Sequence, residues 1–295
     1  MDFDLIRLII GIVFLSYASV QDLKTRCVND KVWLALGSIG LVLLIFTTPY
    51  YPMFIFIAVM FFSFFLELAD KTNLKELKVR RVYWLFVWCI ALSILAYLVY
   101  KHCILTCDMT FLSILTIPAL QIFIYILYSS RLLYGGADAK ALICITLLTP
   151  FYPLLTKPLL AYFSIKLLWP YPLVILTNGI IITLILPLCF LVYNLIRGDF
   201  KFPLSFLGYK LAIEEAEHKF VWPLEVARNG KIVKIYFPKR IEDTNKELEA
   251  LRRLGAKELW VTPKIPFIIP LLGGFVTSYF IGDIMYNIVK ALVRF

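Results

Sequence analysis

The sequence predicts an all-α polytopic membrane helix bundle of six to eight spans, with a small cytoplasmic α+β insertion before the last span. Three observations lead there. The chain is 61% apolar and 17% charged, against about 45–50% and about 25% in soluble domains. Its apolar residues gather into eight runs of membrane-spanning length. One late stretch, residues 197–265, departs from that pattern, with 14 basic and 10 acidic residues mixed among apolar ones.

A span needs about 20 mostly apolar residues, with roughly 17 as the lower limit. Residues 5–21, 32–48, 53–69, 82–100, 111–128, 139–155, 171–196 and 267–293 qualify. The first run follows Asp2 and Asp4, without a basic n-region or a small-residue cleavage site. It is therefore expected to be a retained span and not a signal peptide. The sixth run is short, and Pro150 and Pro153 break its far end.

Loop charges orient the bundle. Lys24, Arg26 and Lys31 follow the first span, and Lys71, Lys75, Lys78, Arg80 and Arg81 follow the third. The loop around Pro49 and Pro52 has no basic residue, residues 101–110 have one lysine, and residues 156–170 have Lys157 and Lys166. Basic loops face the cytoplasm, so the N-terminus is expected outside. The net charge of +10 then reflects loops facing an anionic lipid leaflet, with no nucleic-acid partner implied.

The domain division expected is a transmembrane bundle over 1–196, a soluble insertion over 197–265, and a last helix over 266–295 that completes the bundle. Within the insertion, residues 220–228 and 231–237 alternate around Asn229-Gly230, a type I′ hairpin signal. Leu248, Leu251 and Leu254 lie at helical spacing before Gly255, and residues 258–262 form a candidate third strand.

The six cysteines, at 27, 89, 103, 107, 144 and 189, include no C-x-x-C pair, and the histidines are His102 and His218. No metal site and no cofactor are expected, because a structural zinc site draws on about four converging ligands. Cys103 and Cys107 share one short loop, open to a disulfide or to two thiols.

The chemistry is expected at Tyr134-Gly135-Gly136-Ala137-Asp138-Ala139-Lys140, where an acid follows two glycines at the mouth of an apolar run. An ionisable residue at a membrane entrance marks a candidate site; a helix N-cap is the structural alternative for Asp138. A second acid, Asp22, ends the first span, and four crossings separate the two. An even number of crossings returns the chain to the same side, so Asp22 and Asp138 are expected at one depth. Two such carboxylates can hold a water and hydrolyse a peptide bond, one as base and one as acid. Each sits in an Asp-x-Lys pattern. Lys24 and Lys140 either support that pair or anchor the helices at the headgroups.

The run Asp22-Leu23-Lys24-Thr25-Arg26, the Tyr134 to Lys140 motif, and the segment from Lys257 through Pro263 to Phe267 together resemble the archaeal preflagellin and type IV prepilin-like signal peptidases. These are a branch of the G-x-G-D membrane aspartyl proteases. The patches occur in that family's order, with Ala137 where the name-giving pattern has glycine. The resemblance implies an aspartic endopeptidase that uses Asp22 and Asp138, supported by Gly135, Gly136 and Ala137. Its partners would be precursors with short basic class III-type signal peptides, cut at the cytoplasmic membrane face. Glu67, Asp70 or acids of the insertion are candidates to attract such a leader.

Three rivals stand beside this. Presenilin-like proteolysis is suggested by Pro118-Ala119-Leu120, but that tripeptide precedes Asp138. A methylating bacterial-type peptidase would carry paired C-x-x-C motifs. A transporter or non-catalytic membrane scaffold would place an ion-coupling role on Asp283, whose structural alternative is a Tyr or Ser partner between helices.

Overall fold

A computed structural model describes residues 3–48, 50–69, 78–106, 108–133, 135–153, 169–236 and 244–293. Tyr134, Asp70 and Cys107 lie outside them, and with Cys107 the choice between a loop disulfide and two thiols; the Glu67 side chain lies outside them as well. The chain divides into two compact units, residues 1–180 with 266–295, and residues 181–265.

The first unit is helical: α1 (Phe3–Thr25), α2 (Asp30–Thr47), α3 (Tyr51–Ala69), α4 (Lys78–Val99), α5 (Met109–Ser129), α6 (Gly136–Leu148), α7 (Tyr171–Thr183), and, after the insertion, α12 (Ile268–Phe280) and α13 (Ile284–Val293). Among the described residues, five helical stretches are long and apolar enough to cross a membrane, and a sixth if the bent α12–α13 pair counts as one. This meets the lower end of the expected six to eight spans. The apolar part of α3, Tyr51–Phe65, is shorter than those five.

Two expected spans change shape. The run at 139–155 becomes α6, only 13 residues long, about 20 Å of rise against about 30 Å of hydrocarbon. Every residue from Ala139 to Leu148 is buried. The helix sits at the centre of its unit, against α1, α2, α3, α5 and α12. Close approach to α2 depends on Gly40, where a Cβ would stand 2.9 Å from the Leu147 backbone. Cys144 Sγ reaches the Trp33 carbonyl at 3.1 Å, and Gln121 Nε2 donates to Thr146 Oγ1 at 3.5 Å.

The last run, 267–293, is broken, with α12 and α13 meeting at 61°. Gly282 takes φ +82° at the break, a conformation that costs glycine little. Asn178 of α7 holds the break: its Nδ2 donates to Ser278 Oγ and to the Gly282 carbonyl, both at 2.8 Å, and its Oδ1 accepts from Ile284 N at 3.1 Å. Asp283 Oδ1 accepts from Tyr286 N at 3.0 Å, which is the geometry of an N-cap on α13. Its carboxylate serves a backbone N–H, and its charge also acts on Tyr152.

A second polar cluster gathers near the start of α1. Arg7, 5% exposed, donates through Nη2 to Thr47 Oγ1 at 2.9 Å and lies 3.6 Å from Asp4. Its charge also acts on Tyr279.

The second unit comprises α8 (Ile185–Arg197), the short α9 (Leu204–Leu207) and α10 (Ile213–His218), α11 (Thr244–Arg253) and five strands. The strands are β1 (Tyr209–Ala212), β2 (Val221–Pro223), β3 (Glu225–Arg228), β4 (Lys231–Lys234) and β5 (Glu258–Pro263). The hairpin β3–β4 turns where expected, with Asn229 at φ +48° and Gly230 at φ +70°, both positive as a type I′ turn requires. The expected third strand is β5, but it does not extend the hairpin. It takes the centre of a separate antiparallel sheet ordered β1-β5-β2. Leu248 and Leu251 of α11 are fully buried against that sheet with Leu211, Val221, Leu259 and Val261. Asn194 joins α8 to the sheet's entry, its Nδ2 donating to the carbonyls of Phe190, Ser205 and Gly208.

Candidate active site

Asp22 lies in the last turns of α1. The helix closes just beyond it: Arg26, at φ +57°, donates its N–H to the Asp22 carbonyl at 2.9 Å, and Thr25 Oγ1 bonds the Gln21 and Cys27 carbonyls. A left-handed residue satisfying a late carbonyl is a common helix stop. The connection to α2 is short. Gln21 Oε1 accepts from Asn29 N at 3.3 Å, and Asn29 caps α2 by accepting from Lys31 N at 3.0 Å. Asp22 is thus fixed to the start of the next helix.

Asp138 lies in the first turn of α6, three residues after the N-cap, which is Gly135. The N-cap role suggested for Asp138 itself is therefore taken by glycine, whose peptide has extended geometry and no side-chain cap. The carboxyl of Asp138 folds back over Gly135: a Cβ built on Gly135 would collide with Asp138 Oδ2 and stand 2.8 Å from its Cγ. A hydrogen at this position is what gives the carboxylate its place. Gly136 is different, since a Cβ there would meet only the Tyr128 ring at 3.9–4.0 Å. Ala137 packs its methyl on the core.

Helices α1 and α6 pack on one another, and both acids are half-buried. The charge of Asp22 acts directly on Asp138. The fold therefore brings together the two acids that the sequence separates by more than a hundred residues. Two carboxyl groups that feel each other's charge resist being ionised together.

The two motif lysines divide. Lys24 is exposed, as a headgroup anchor would be. Lys140 is not: its side chain is 7% exposed, its Nζ lies 2.5 Å from Asp30 Oδ1, and it stands over the Phe65 ring at 5.4 Å from the centroid. Burial and pairing replace the snorkelling anchor at this position. Within Asp-x-Lys-x-Arg, the basic group that acts on Asp22 is Arg26. Asp30 and Arg26 were not singled out as site residues by sequence alone. Arg26 was visible in the motif, whereas the link between Asp30 and Lys140 exists only through tertiary packing.

Residues 200–284 match the family described as archaeal peptidase A24 C-terminus, type II. The whole chain is similar to preflagellin peptidases. It is 24% identical to that of Methanococcus maripaludis over 95% of this chain and 96% of the relative. For Methanocaldococcus jannaschii the identity is 23% over 95% of each chain, and for Methanococcus voltae 23% over 95% and 97%. Along nearly its whole length, then, the chain is similar to preflagellin peptidases, and it carries helices long and apolar enough to cross a membrane.

Proposed function

We propose that the chain is a membrane aspartic endopeptidase that removes the short basic leader of preflagellin- or prepilin-like precursors, with Asp22 and Asp138 as its catalytic pair. The observation that carries this reading is the approach of Asp138, at the start of α6, to Asp22, at the end of α1, close enough for their charges to interact. Similarity to preflagellin peptidases along 95% of the chain supports the substrate class.

The reaction follows from the pair. The ionised carboxylate takes a proton from a water held between the two acids, and the oxygen attacks the scissile carbonyl carbon. The protonated partner donates to the carbonyl oxygen as it gains charge, giving a gem-diol. A proton then passes to the amide nitrogen, the C–N bond breaks, and the carbonyl reforms as the new carboxyl terminus. The first acid gives the proton it took from water to the amine, the second regains the one it gave as the gem-diol collapses, and water alone is consumed.

Charge supports a cytoplasmic site. Lys24 and Lys31 flank the Asp22 end of α1 and are exposed, and basic residues at helix ends favour the cytoplasmic side. A precursor whose leader precedes a hydrophobic helix presents its scissile bond at the membrane interface. The acids, one at a helix end and one at a helix start, fit that depth. The test is co-expression with preflagellin- and pilin-type precursors, reading the mass of each product. Removal of the leader immediately before the hydrophobic helix is expected; precursors of unchanged mass would overturn the assignment.

A further inference from the structure

We propose that the ion pair Asp30–Lys140 is a clasp that sets the spacing of Asp22 and Asp138, which makes Asp30 and Lys140 positioning residues for cleavage; this rests on the two-aspartate reading above. Lys140 follows Asp138 by two residues in α6. At about 100° per residue the two side chains leave the helix in nearly opposite directions. The Asp138 carboxyl lies over Gly135 within reach of the Asp22 charge on α1, and Lys140 turns to the start of α2 and to Phe65 of α3. The first turn of α6 is thereby held from both sides, which fixes its rotation as well as its position.

The partner's place in the chain gives the pair its meaning. Asp30 is the first residue of α2, where the helix's positive end favours an acid. It stands eight residues after Asp22, across a connection tied down by the Arg26 N–H to the Asp22 carbonyl and by Asn29 N to Gln21 Oε1. A closed loop of contacts results. It runs from Asp22 through the tied connection to Asp30, across the ion pair to Lys140, and back along two residues of helix to Asp138. Only the approach of the two acids completes it. Loosening the ion pair leaves that approach governed by helix packing alone.

The surroundings argue against a free cation that would bind substrate. The Lys140 side chain is 7% exposed and its ammonium already faces a carboxylate. A buried ammonium deprived of its partner is strongly unfavourable, so α6 would have to shift to hydrate it. Such a shift moves Asp138 with it.

The test uses the full-length protein in membranes and a preflagellin-type precursor. Asp30→Asn retains the shape of the side chain, and Lys140→Met retains its length. Each is expected to lower kcat by about tenfold or more while KM stays within about twofold, because misplacement of a reacting group on the order of 1 Å costs up to about a hundredfold. The exchange Asp30→Lys with Lys140→Asp is expected to regain part of the lost kcat. A second readout needs no cleavage. In a background with native cysteines replaced, Asp22→Cys with Asp138→Cys is treated with bifunctional thiol reagents of graded span. Adding Asp30→Asn should shift or broaden the span that links fastest. Single variants with kcat within about twofold of the parent, a loss confined to KM, or an unchanged cross-linking profile would overturn the clasp. If Asp22→Asn or Asp138→Asn still cleaves, the two-aspartate reading fails instead, and the cross-linking profile judges the clasp by itself.

Discussion

Replacing Gly135 with alanine adds one methyl group and isolates one geometric demand of the site. The backbone there, φ −88° and ψ 118°, suits alanine, so no conformational strain is introduced. The cost arises elsewhere. The new Cβ would stand 2.8 Å from Asp138 Cγ, and ordinary contact begins near 3.4 Å, so the carboxyl carbon must retreat by roughly 0.6 Å and its Oδ2 farther still. A displacement approaching 1 Å at a reacting group is worth about a hundredfold in rate, or about 2.7 kcal/mol of barrier. Gly136→Ala is the control, because its Cβ would find only Tyr128 atoms at 3.9–4.0 Å. The assay is single-turnover cleavage of a precursor in membranes, with variant levels matched by immunoblot. Gly135→Ala should lose about a hundredfold in rate and Gly136→Ala about threefold at most. Equal rates for the two variants would refute the argument that Gly135 makes room for the Asp138 carboxyl.

Other perturbations test the frame that holds the acids. Arg7→Met removes the buried guanidinium with its bond to Thr47 and its ion pair to Asp4 and should destabilise the bundle by about 3 kcal/mol, read as a fall in the detergent melting temperature. Asp283→Asn can still accept from Tyr286 N, so precursor cleavage should be nearly unchanged, while Asp283→Ala should cost about 1 kcal/mol through loss of the cap. Ion-dependent uptake into proteoliposomes that disappears with Asp283→Asn would instead favour transport. Removing the Asn178 side chain frees three bonds at the α12–α13 break. Asn178→Ala should lower stability by about 2–3 kcal/mol, and an unchanged melting temperature would deny it that role.

The helical bundle was legible because a bilayer imposes a length that an apolar run either meets or misses. The β3–β4 turn was legible because Asn229-Gly230 is a local signal for positive φ at two consecutive residues. The β1-β5-β2 sheet was not, since β1 and β2 are only four and three residues long and pair with a strand dozens of residues away. Too few positions exist for alternation to appear. Pro150 and Pro153 did signal that the sixth run ends early, yet central burial of α6 depends on neighbours that its own residues cannot reveal. The break after Phe280 left a trace as Gly282-Asp283. An acid within an apolar run reads equally as a cap or as a membrane charge until the helix direction is known. Asp22 and Asp138 could be chosen as candidates from motif and parity, while the reason for Gly135 came from the local geometry of the first turn of α6 and the partner of Lys140 only from tertiary packing.

A two-aspartate mechanism requires both acids to exchange protons during cleavage. Asn has nearly the size of Asp and accepts hydrogen bonds, but it cannot act in turn as base and acid. Asp22→Asn and Asp138→Asn, each inserted in membranes at the parent level and incubated with a preflagellin-type precursor, should give no product of reduced mass. Cleavage at the same bond by either variant, at a rate near that of the parent, would contradict the two-aspartate mechanism.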